Sequence, residues 1–428
     1  MTAAPDAPSR SPSRGGWWTE GRWQSAVLIL IALIGFVSWG PRLGDFAGYL
    51  MVGNAVLDGK HIYHDTPPGI NTWPPFFALV CVPLALIGRV STYLATSSWL
   101  VLSYAVLLLV LDLLARILYG QPMTLRRTGP GIPIASAGLF VPLLLTSTYL
   151  FNNFEHTQIS VVLLGLTVGG LYLIDRGRTW AGSAALGLAI AMKLMPVVFL
   201  PYFALRRQWR AFFQCGLITG ALSLSPILVF GWTRYWDYVA SWRKVLGWGW
   251  GVGAYNQSLY ALWDRFIGHH VYPFAPGDNY NLNRSGDPAV QAAFLVSLAI
   301  LGLLTLWRLL KPPFDRPRTA ITEWSAVLIL STMWGPVLWK LYLVVLLVPA
   351  ALLFAVWRSP GLDAASRRTC AWFLFGSAVL QLGTAHDIAG RWLSPQLELG
   401  GVATWSALVM LAGVLWLRGR PDLLGGTH

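Results

Sequence analysis

Charge is the scarcest property of this sequence. Asp, Glu, Lys and Arg together make up 11% of its 428 residues, and only 18 residues are acidic. A soluble domain is about 25% charged, so an ordinary water-soluble globule is excluded. Cysteine is nearly absent too: Cys81, Cys215 and Cys370 each sit inside an apolar run, which sketches neither a disulfide framework nor a thiolate metal site. There is no Walker sequence and no GxGxxG after a strand, which removes the usual cradle for nucleotide phosphates. No metal-ligand spacing stands out, so no obligatory metal or cofactor is expected. Neither a fixed-period repeat nor a second domain is visible.

What the chain does have is apolar length. Apolar residues fill 55% of it, and the mean hydropathy is +0.55. Runs of about 17 or more apolar residues recur from end to end, each long enough for a helix that crosses hydrocarbon. They lack a period of two, and a lipid-exposed backbone must satisfy its own hydrogen bonds, so the expected class is all-α and polytopic. The net charge of +13 comes from short Arg and Lys clusters between these runs. Such clusters mark cytoplasmic loops rather than a nucleic-acid face. "MTAAPDAPSRSPSRGG" is rich in Pro, Ser and Arg. Residues 1–22 are therefore expected to be a disordered cytoplasmic tail, 23–420 a single membrane domain, and 421–428 a second cytoplasmic tail. No small-residue cleavage site follows the first apolar run, which is read as a retained anchor.

Threading by charge places Arg10, Arg14 and Arg22 inside and Asp45 outside. The clusters around Arg206, Arg308, Arg358 and Arg418 then alternate without conflict. They leave outer loops at 41–73 and 232–288, an outward corner at Trp339 and Lys340, and an outward stretch at 386–399. Arg126 and Arg127 fit only if one run fails to cross. "PPFFALVCVPLALIG", short and carrying three prolines, is the candidate for a re-entrant or shallow helix. The expected total is about twelve crossings.

Threaded this way, the residues least suited to a membrane gather on one face. They are Asp45, Asp58 and Asp65; Glu155, His156 and Gln158; Lys193; Asn256, Gln257 and Arg265; Lys340; and His386 with Asp387. A charge inside the membrane costs roughly 2.5–3.5 kcal/mol on insertion scales. Lys193, between "ALGLAIAM" and "LMPVVFLP", therefore needs a partner or an anionic ligand, and Lys340 poses the same problem. Plainer readings compete. Asp45 could cap the stretch "FAGYLMVGNAVLDG", Lys193 could snorkel to the interface, and Trp232, Tyr235, Trp236, Tyr238 and Trp242 read as an interfacial aromatic belt. An outward cavity with an acid, several cations and many aromatics suits an anionic lipid head that carries a sugar. The cations would hold a lipid phosphate while the carboxylate takes a proton from an attacking hydroxyl. Without a nucleotide cradle, the sugar donor is expected to be lipid-linked.

Three segments resemble glycosyltransferase family 87. "GDFAGYLMVGNAVLDGKHIYHD" followed by "TWPPFFALVCVPLAL" is similar to the family pattern of Asp, aromatic, Tyr, then Gly, Tyr and a Tyr/Trp-Pro-Pro segment. "TQISVVLLGLTVGGLYLIDRGRTWAGSAALGLAIAMKLMPVVFLPYFALRRQWRAF" resembles its most recognisable block, and "NQSLYALWDRF" resembles its Asn-Gln-Ser-Leu...Arg element. The blocks run in family order over most of residues 42 to 350.

The resemblance implies a GT-C type bundle with short outer-face helices, and a polyprenyl-phosphate sugar, commonly mannose, as co-substrate. It implies that Asp45 is the base, with Tyr49, Lys193, Asn256 and Gln257 at the site. Where relatives often carry Trp-x-His-His, this chain reads "WKLY", which departs from that pattern with Lys340 directly after the Trp and Tyr342 two residues beyond. The resulting expectation is an inverting glycosyltransferase of the cell (inner) membrane whose site faces the extracytoplasmic side. Its acceptor would be a glycolipid or glycan, and it would act as a monomer without nucleic acid. His156, Gln158 and Arg265 are further candidates for the site, and Asp58 or Asp65 for a second acid. The rival reading, a secondary transporter or lipid flippase for an anionic lipid-linked sugar, is disfavoured by the missing repeat and the one-sided charges.

Overall fold

A computed structural model describes residues 42–67, 71–124, 131–134, 136–247, 254–267, 287–311 and 318–425, with isolated positions between 26 and 38. Residues 1–22, most of the first apolar run, and 248–253 and 268–286 of the second outer loop lie outside the described residues.

The described chain is helical, apart from a two-residue parallel pairing of Met123–Thr124 with Ile132–Pro133. Its first helices are α1 (Phe46–Leu57), α2 (Pro75–Val90), α3 (Thr92–Tyr119), α4 (Ala137–Leu145) and α5 (Ser147–Glu155). Then come α6 (Ser160–Asp175), α7 (Thr179–Met192), α8 (Phe199–Leu205), α9 (Trp209–Leu224), α10 (Pro226–Phe230), α11 (Trp232–Gly247) and α12 (Leu259–Ile267). The chain closes with α13 (Pro288–Leu310), α14 (Thr319–Met333), α15 (Leu347–Trp357), α16 (Ala364–Leu382), α17 (His386–Leu399) and α18 (Val402–Arg418). Local chemistry sets many of these starts. Pro75 and Pro288 occupy first-turn positions where a missing N–H costs nothing. The Ser91 hydroxyl accepts from Leu94 N at 3.2 Å, and the Asp363 carboxylate accepts from Ser366 N at 2.8 Å.

Among the described residues, four segments are long and apolar enough to cross a membrane: Thr92–Tyr119, Trp209–Phe230, Pro288–Leu310 and Lys340–Trp357. The pair α17 and α18, bent by 68°, makes a fifth if taken as one span. Other apolar helices run 10–17 residues, which at 1.5 Å per residue is about 15–26 Å and short of the ~30 Å hydrocarbon core. Helices of full length therefore do not make up the expected twelve crossings. The proposed re-entrant run is an unbroken 16-residue helix, α2, that carries Pro83 inside it. The stretch 386–399 is the kinked helix α17, with Gly390 at φ +79°. Leu424 is buried in a 3-10 turn, Pro421–Leu424, within the stretch expected to be the second cytoplasmic tail.

Burial divides the helices by role. Only 11% of the apolar stretch in Trp209–Phe230 and in α13 is buried. Phe213, Leu217, Leu295 and Leu303 are each more than 60% exposed. Continuous apolar surface on this scale suits lipid and not water, and the protein is an integral membrane protein. In contrast, every residue from Leu347 to Val356 of α15 is buried, which makes this helix the axis of the main core. A second core joins α1 and α2 to parts of α6 and α7. Gly53 of α1 lies against the Cys81 carbonyl of α2, so close that a Cβ there would overlap it.

The two ends of the bundle are fastened by buried charge. At one end Glu323 of α14 accepts from Arg206 Nε at 2.8 Å, from a second Arg206 nitrogen, from Arg418 Nε at 2.8 Å and from Tyr202 Oη at 3.1 Å. Arg418 also donates to the Lys311 carbonyl at 2.8 Å. Arg206 and Arg418, read as topology signals in the sequence, are thus bundle fasteners as well. At the other end of α18, about 25 Å away along a 17-residue helix, sits the ion pair of Lys340 and Glu398.

Candidate active site

The site begins at a turn. Gly44 adopts φ +49°, and a Cβ on it would lie 2.7 Å from the His156 carbonyl oxygen. Only glycine suits that conformation and that approach. The close approach lets Asp45 N donate to His156 O at 2.9 Å, which fixes Asp45 against the α5–α6 corner. Asp45 is the residue before α1, but its side chain makes no capping bond. The carboxylate, half-buried, instead accepts from Gln158 Nε2. On its other side the Gln158 amide oxygen accepts from Tyr49 Oη at 3.2 Å, and Tyr49 Oη accepts from Ile159 N at 3.2 Å. Tyr49 itself is fully buried among Phe46, Trp73, Phe77 and Trp99. Between His156 and Gln158, Thr157 is held at φ +52°. A β-branched residue in that region costs of order 1–3 kcal/mol, strain of a kind concentrated at functional sites.

Lys193 ends α7, just before the 3-10 turn Met195–Val198. Its Nζ is buried and has no hydrogen-bond partner among the described residues. The nitrogen lies 3.5 Å from the centre of the Tyr342 ring, a cation–π contact. The Asp45 carboxylate acts electrostatically on Lys193, Tyr49 and Tyr342 alike. Next to Tyr342 a small crevice of about 20 Å³ lies between Ser160, Leu163, Met195, Pro196, Leu328 and Val345.

The remaining candidates are arranged differently. Lys340 Nζ donates to Glu398 Oε1 at 2.5 Å and to the Thr384 carbonyl at 3.1 Å. Gln257 donates from Nε2 to the carbonyls of Ala254 (2.5 Å) and Glu398 (2.7 Å), and its Oε1 accepts from Ala403 N at 3.2 Å. The Asn256 side chain donates to Pro336 O at 3.1 Å and accepts from Ser258 N and Leu338 N. Arg265 donates to Asn256 O at 2.9 Å. These four residues form a clamp that ties the 254–267 segment to the 336–340 corner and to the α17–α18 bend.

The His156 ring bonds its own helix, with Nδ1 3.0 Å from Asn152 O, and contributes to the site through its carbonyl. Asp58 follows α1 at the end opposite Asp45, about 20 Å away over 13 residues, and pairs with Arg89 and Lys60. Asp65 accepts from His61 N at 2.6 Å in the same loop. That loop is strapped down by α11: Arg234 donates to Gly59 O, His61 meets Asp237, His64 meets Ser241, and Trp242 donates to Thr72 O. Within the aromatic stretch Tyr235 and Tyr238 are buried, while Trp232 and Trp236 are exposed. His386 and Asp387 are exposed at the start of α17. Glu398 is the residue that sequence reasoning missed. A lone Lys340 in an apolar corner does call for an opposite charge, and Glu398, with few acids to choose from, could have been tried. Among the described residues no three His, Cys, Asp or Glu converge in a metal-holding group.

Residues 71–333, more than half of the chain, match the family model described as glycosyltransferase family 87. The chain belongs to glycosyltransferase family 87. The match contains Gln158, Lys193, Asn256, Gln257 and Arg265 and stops short of Asp45 on one side and Lys340 on the other. Among curated proteins, this family 87 chain is 29% identical over 256 residues to a polyprenol-phosphate-mannose-dependent α-(1-2)-phosphatidylinositol mannoside mannosyltransferase of Mycolicibacterium smegmatis. It is 31% identical over 255 residues to the protein of the same description from Mycobacterium tuberculosis. Each match covers 55% of this chain and 56% of the relative, so the similarity spans about half the length of these proteins. A pentamannoside mannosyltransferase of Mycolicibacterium smegmatis is 28% identical over 200 residues, 43% of this chain and 44% of that protein. Among solved structures, ArnT from Cupriavidus metallidurans bound to undecaprenyl phosphate superposes with a TM-score of 0.42 at 17% identity, covering 93% of this chain and 77% of that one.

Proposed function

We propose that this protein is a membrane glycosyltransferase that moves a sugar, mannose, from a polyprenyl-phosphate donor to a lipid-linked or glycan acceptor at the outer face of the cell membrane. The observation that carries the reading is a half-buried carboxylate, Asp45, bonded to Gln158 and acting electrostatically on a buried ammonium, Lys193, that has no hydrogen-bond partner among the described residues. The donor phosphate sits against Lys193. Gln158 holds one carboxylate oxygen of Asp45 and leaves the other for the acceptor hydroxyl. That hydroxyl gives its proton to Asp45 while its oxygen attacks the anomeric carbon from the face opposite the phosphate. The bond from the anomeric carbon to the phosphate oxygen breaks, polyprenyl phosphate leaves with the electron pair, and the configuration inverts. Lys193 neutralises the charge that grows on the leaving oxygen. The reading takes no metal or cofactor, because the sugar arrives already activated on its phosphate.

Membranes that overproduce the protein, incubated with labelled polyprenyl-phosphate mannose, should yield a labelled glycolipid or glycan. Asp45→Asn should reduce this transfer by about a hundred- to ten-thousand-fold, the usual worth of a positioned base, and should leave a folded, inserted protein. Full activity in that variant would overturn the role of Asp45. No transfer by the unaltered protein would overturn the reading.

A further inference from the structure

Lys340 and Lys193 are both lysines in apolar surroundings at the same end of the bundle, and they are treated in opposite ways. Lys193 is left without a hydrogen bond, whereas the Lys340 ammonium already has an anion, Glu398 Oε1 at 2.5 Å, and a carbonyl, Thr384 O at 3.1 Å. Glu398 is 1% exposed, and its backbone carbonyl is held in turn by Gln257. Gln257 is fixed by Leu338 O, which accepts from its backbone N at 2.7 Å, and by Ala403 and Thr404 at the start of α18. The α17–α18 bend and the corner before Lys340 are thereby joined into one block. Lys340 is the first residue of the 3-10 helix Lys340–Leu346. Two residues on, in the same turn, Tyr342 N donates to Trp339 O at 2.9 Å and the Tyr342 ring lies 3.5 Å from Lys193 Nζ.

We infer that Glu398, through its ion pair with Lys340, is a positioning residue that sets the Tyr342 ring against Lys193, and that Lys340 is not itself a phosphate ligand. A buried ammonium that already has its counter-ion offers a second anion little, because the second must compete with a carboxylate that cannot withdraw to water. Cation–π attraction, by comparison, falls away as the ring moves from the cation. The 3-10 turn that places this ring is fixed at its first residue by Glu398. The inference rests on the donor site proposed above and adds to it a residue that touches neither donor nor acceptor.

The test uses the full chain in detergent and two readouts, the affinity for polyprenyl phosphate without sugar and the steady-state constants for polyprenyl-phosphate mannose. Glu398→Gln should raise the donor KM by about tenfold, equivalent to ~1.4 kcal/mol of lost binding, with a smaller change in kcat. The double variant K340L/E398L removes both charges and leaves an apolar contact in place of the pair, which buried sites commonly tolerate. It should bring the donor KM back to within about threefold of the unaltered protein, since 0.6–0.7 kcal/mol is then all that separates them. A Y342L substitution should raise the donor KM in the unaltered protein and add little to E398Q, because both act on one contact. Unchanged donor constants in E398Q would overturn the inference. So would a double variant that binds polyprenyl phosphate as poorly as K340L alone, because Lys340 would then be a ligand. If E398Q does not fold, the double variant and Y342L still decide the question. Failure of the unaltered protein to bind polyprenyl phosphate or to transfer mannose would count against the proposed function and is a separate result.

Discussion

Replacing Lys193 by methionine should improve the fold and harm the function, and the two effects can be sized separately. A lysine at membrane depth costs about 2.5–3.5 kcal/mol on insertion scales. In the unliganded protein its ammonium recovers this through the Tyr342 ring at 3.5 Å, about 0.5–2 kcal/mol for such a contact, and through the field of Asp45. No hydrogen bond among the described residues adds to that. Methionine fills a similar volume with a flexible apolar chain. The unliganded variant should therefore be more stable by of order 1 kcal/mol, seen as a higher thermal midpoint in detergent. A hydrogen bond to a charged group is worth about 1.5–3 kcal/mol. Donor KM should accordingly rise by roughly ten- to a hundred-fold. The unaltered protein should gain thermal stability on adding polyprenyl phosphate, and the variant should not. A K193M protein that melts earlier than the original, or that keeps its donor KM, would refute the reasoning.

Three further outcomes follow from the same geometry. Gly44→Ala puts a Cβ 2.7 Å from the His156 carbonyl in a left-handed conformation. It should lower stability by about 1–3 kcal/mol and cut the initial transfer rate, while Gly53, further along α1, should show a stability effect without comparable selectivity for kcat. Glu323→Ala strands two arginines at the far end of the bundle and should cost about 3–5 kcal/mol, read as a collapse in the yield of monodisperse protein. Asp45→Asn removes a negative charge that acts on Lys193. It should therefore bind polyprenyl phosphate several-fold more tightly even as transfer is lost; unchanged binding in a direct titration would place the two residues in separate pockets.

The class of the fold was legible because apolar runs and scarce charge admit few solutions, and charge-cluster spacing marked where helices turn. Helix lengths were less legible. In "ALGLAIAMKLMPVVFLP" the sequence marks a break at Lys193 between two apolar stretches, but not that the break takes the form of a 3-10 turn, Met195–Val198, between α7 and α8. "WKLYLVVLLVPAALLFAVW" likewise starts as a 3-10 helix before becoming α15. Periodicity does not register such breaks, since they depend on what a buried polar group finds in neighbouring helices. At the site, the lone acid and the isolated lysine stood out because membranes penalise unpaired charge. The partners were harder to see. Gln158 bonds Asp45 across 113 residues, and Glu398 bonds Lys340 across 58; no local pattern links them. Asn256 and Gln257 were placed at the site by the family resemblance, but amides satisfy backbone donors and acceptors as readily as ligands, and here they do so.

That ambiguity bears on how a membrane enzyme can hold charge at all. A protein interior surrounded by lipid has two ways of tolerating a lysine: supply a permanent anion, or leave the place open for one that comes and goes. Lys340 has been given the first arrangement, and its pair with Glu398 fastens helices as Glu323 does at the opposite end. Lys193 has the second. Its neighbours are an aromatic face, which attracts a cation weakly, and a carboxylate whose closest bond is to Gln158 rather than to the ammonium. Had Asp45 paired directly with Lys193, both charges would be satisfied and neither would be free to act on a substrate. The Gln158 bridge, itself anchored by Tyr49 and by the strained turn at Thr157, keeps them apart. Under the proposed function, the energy withheld from that missing ion pair is available to an incoming phosphate, which would make the site costly to fold and tight for its donor at once.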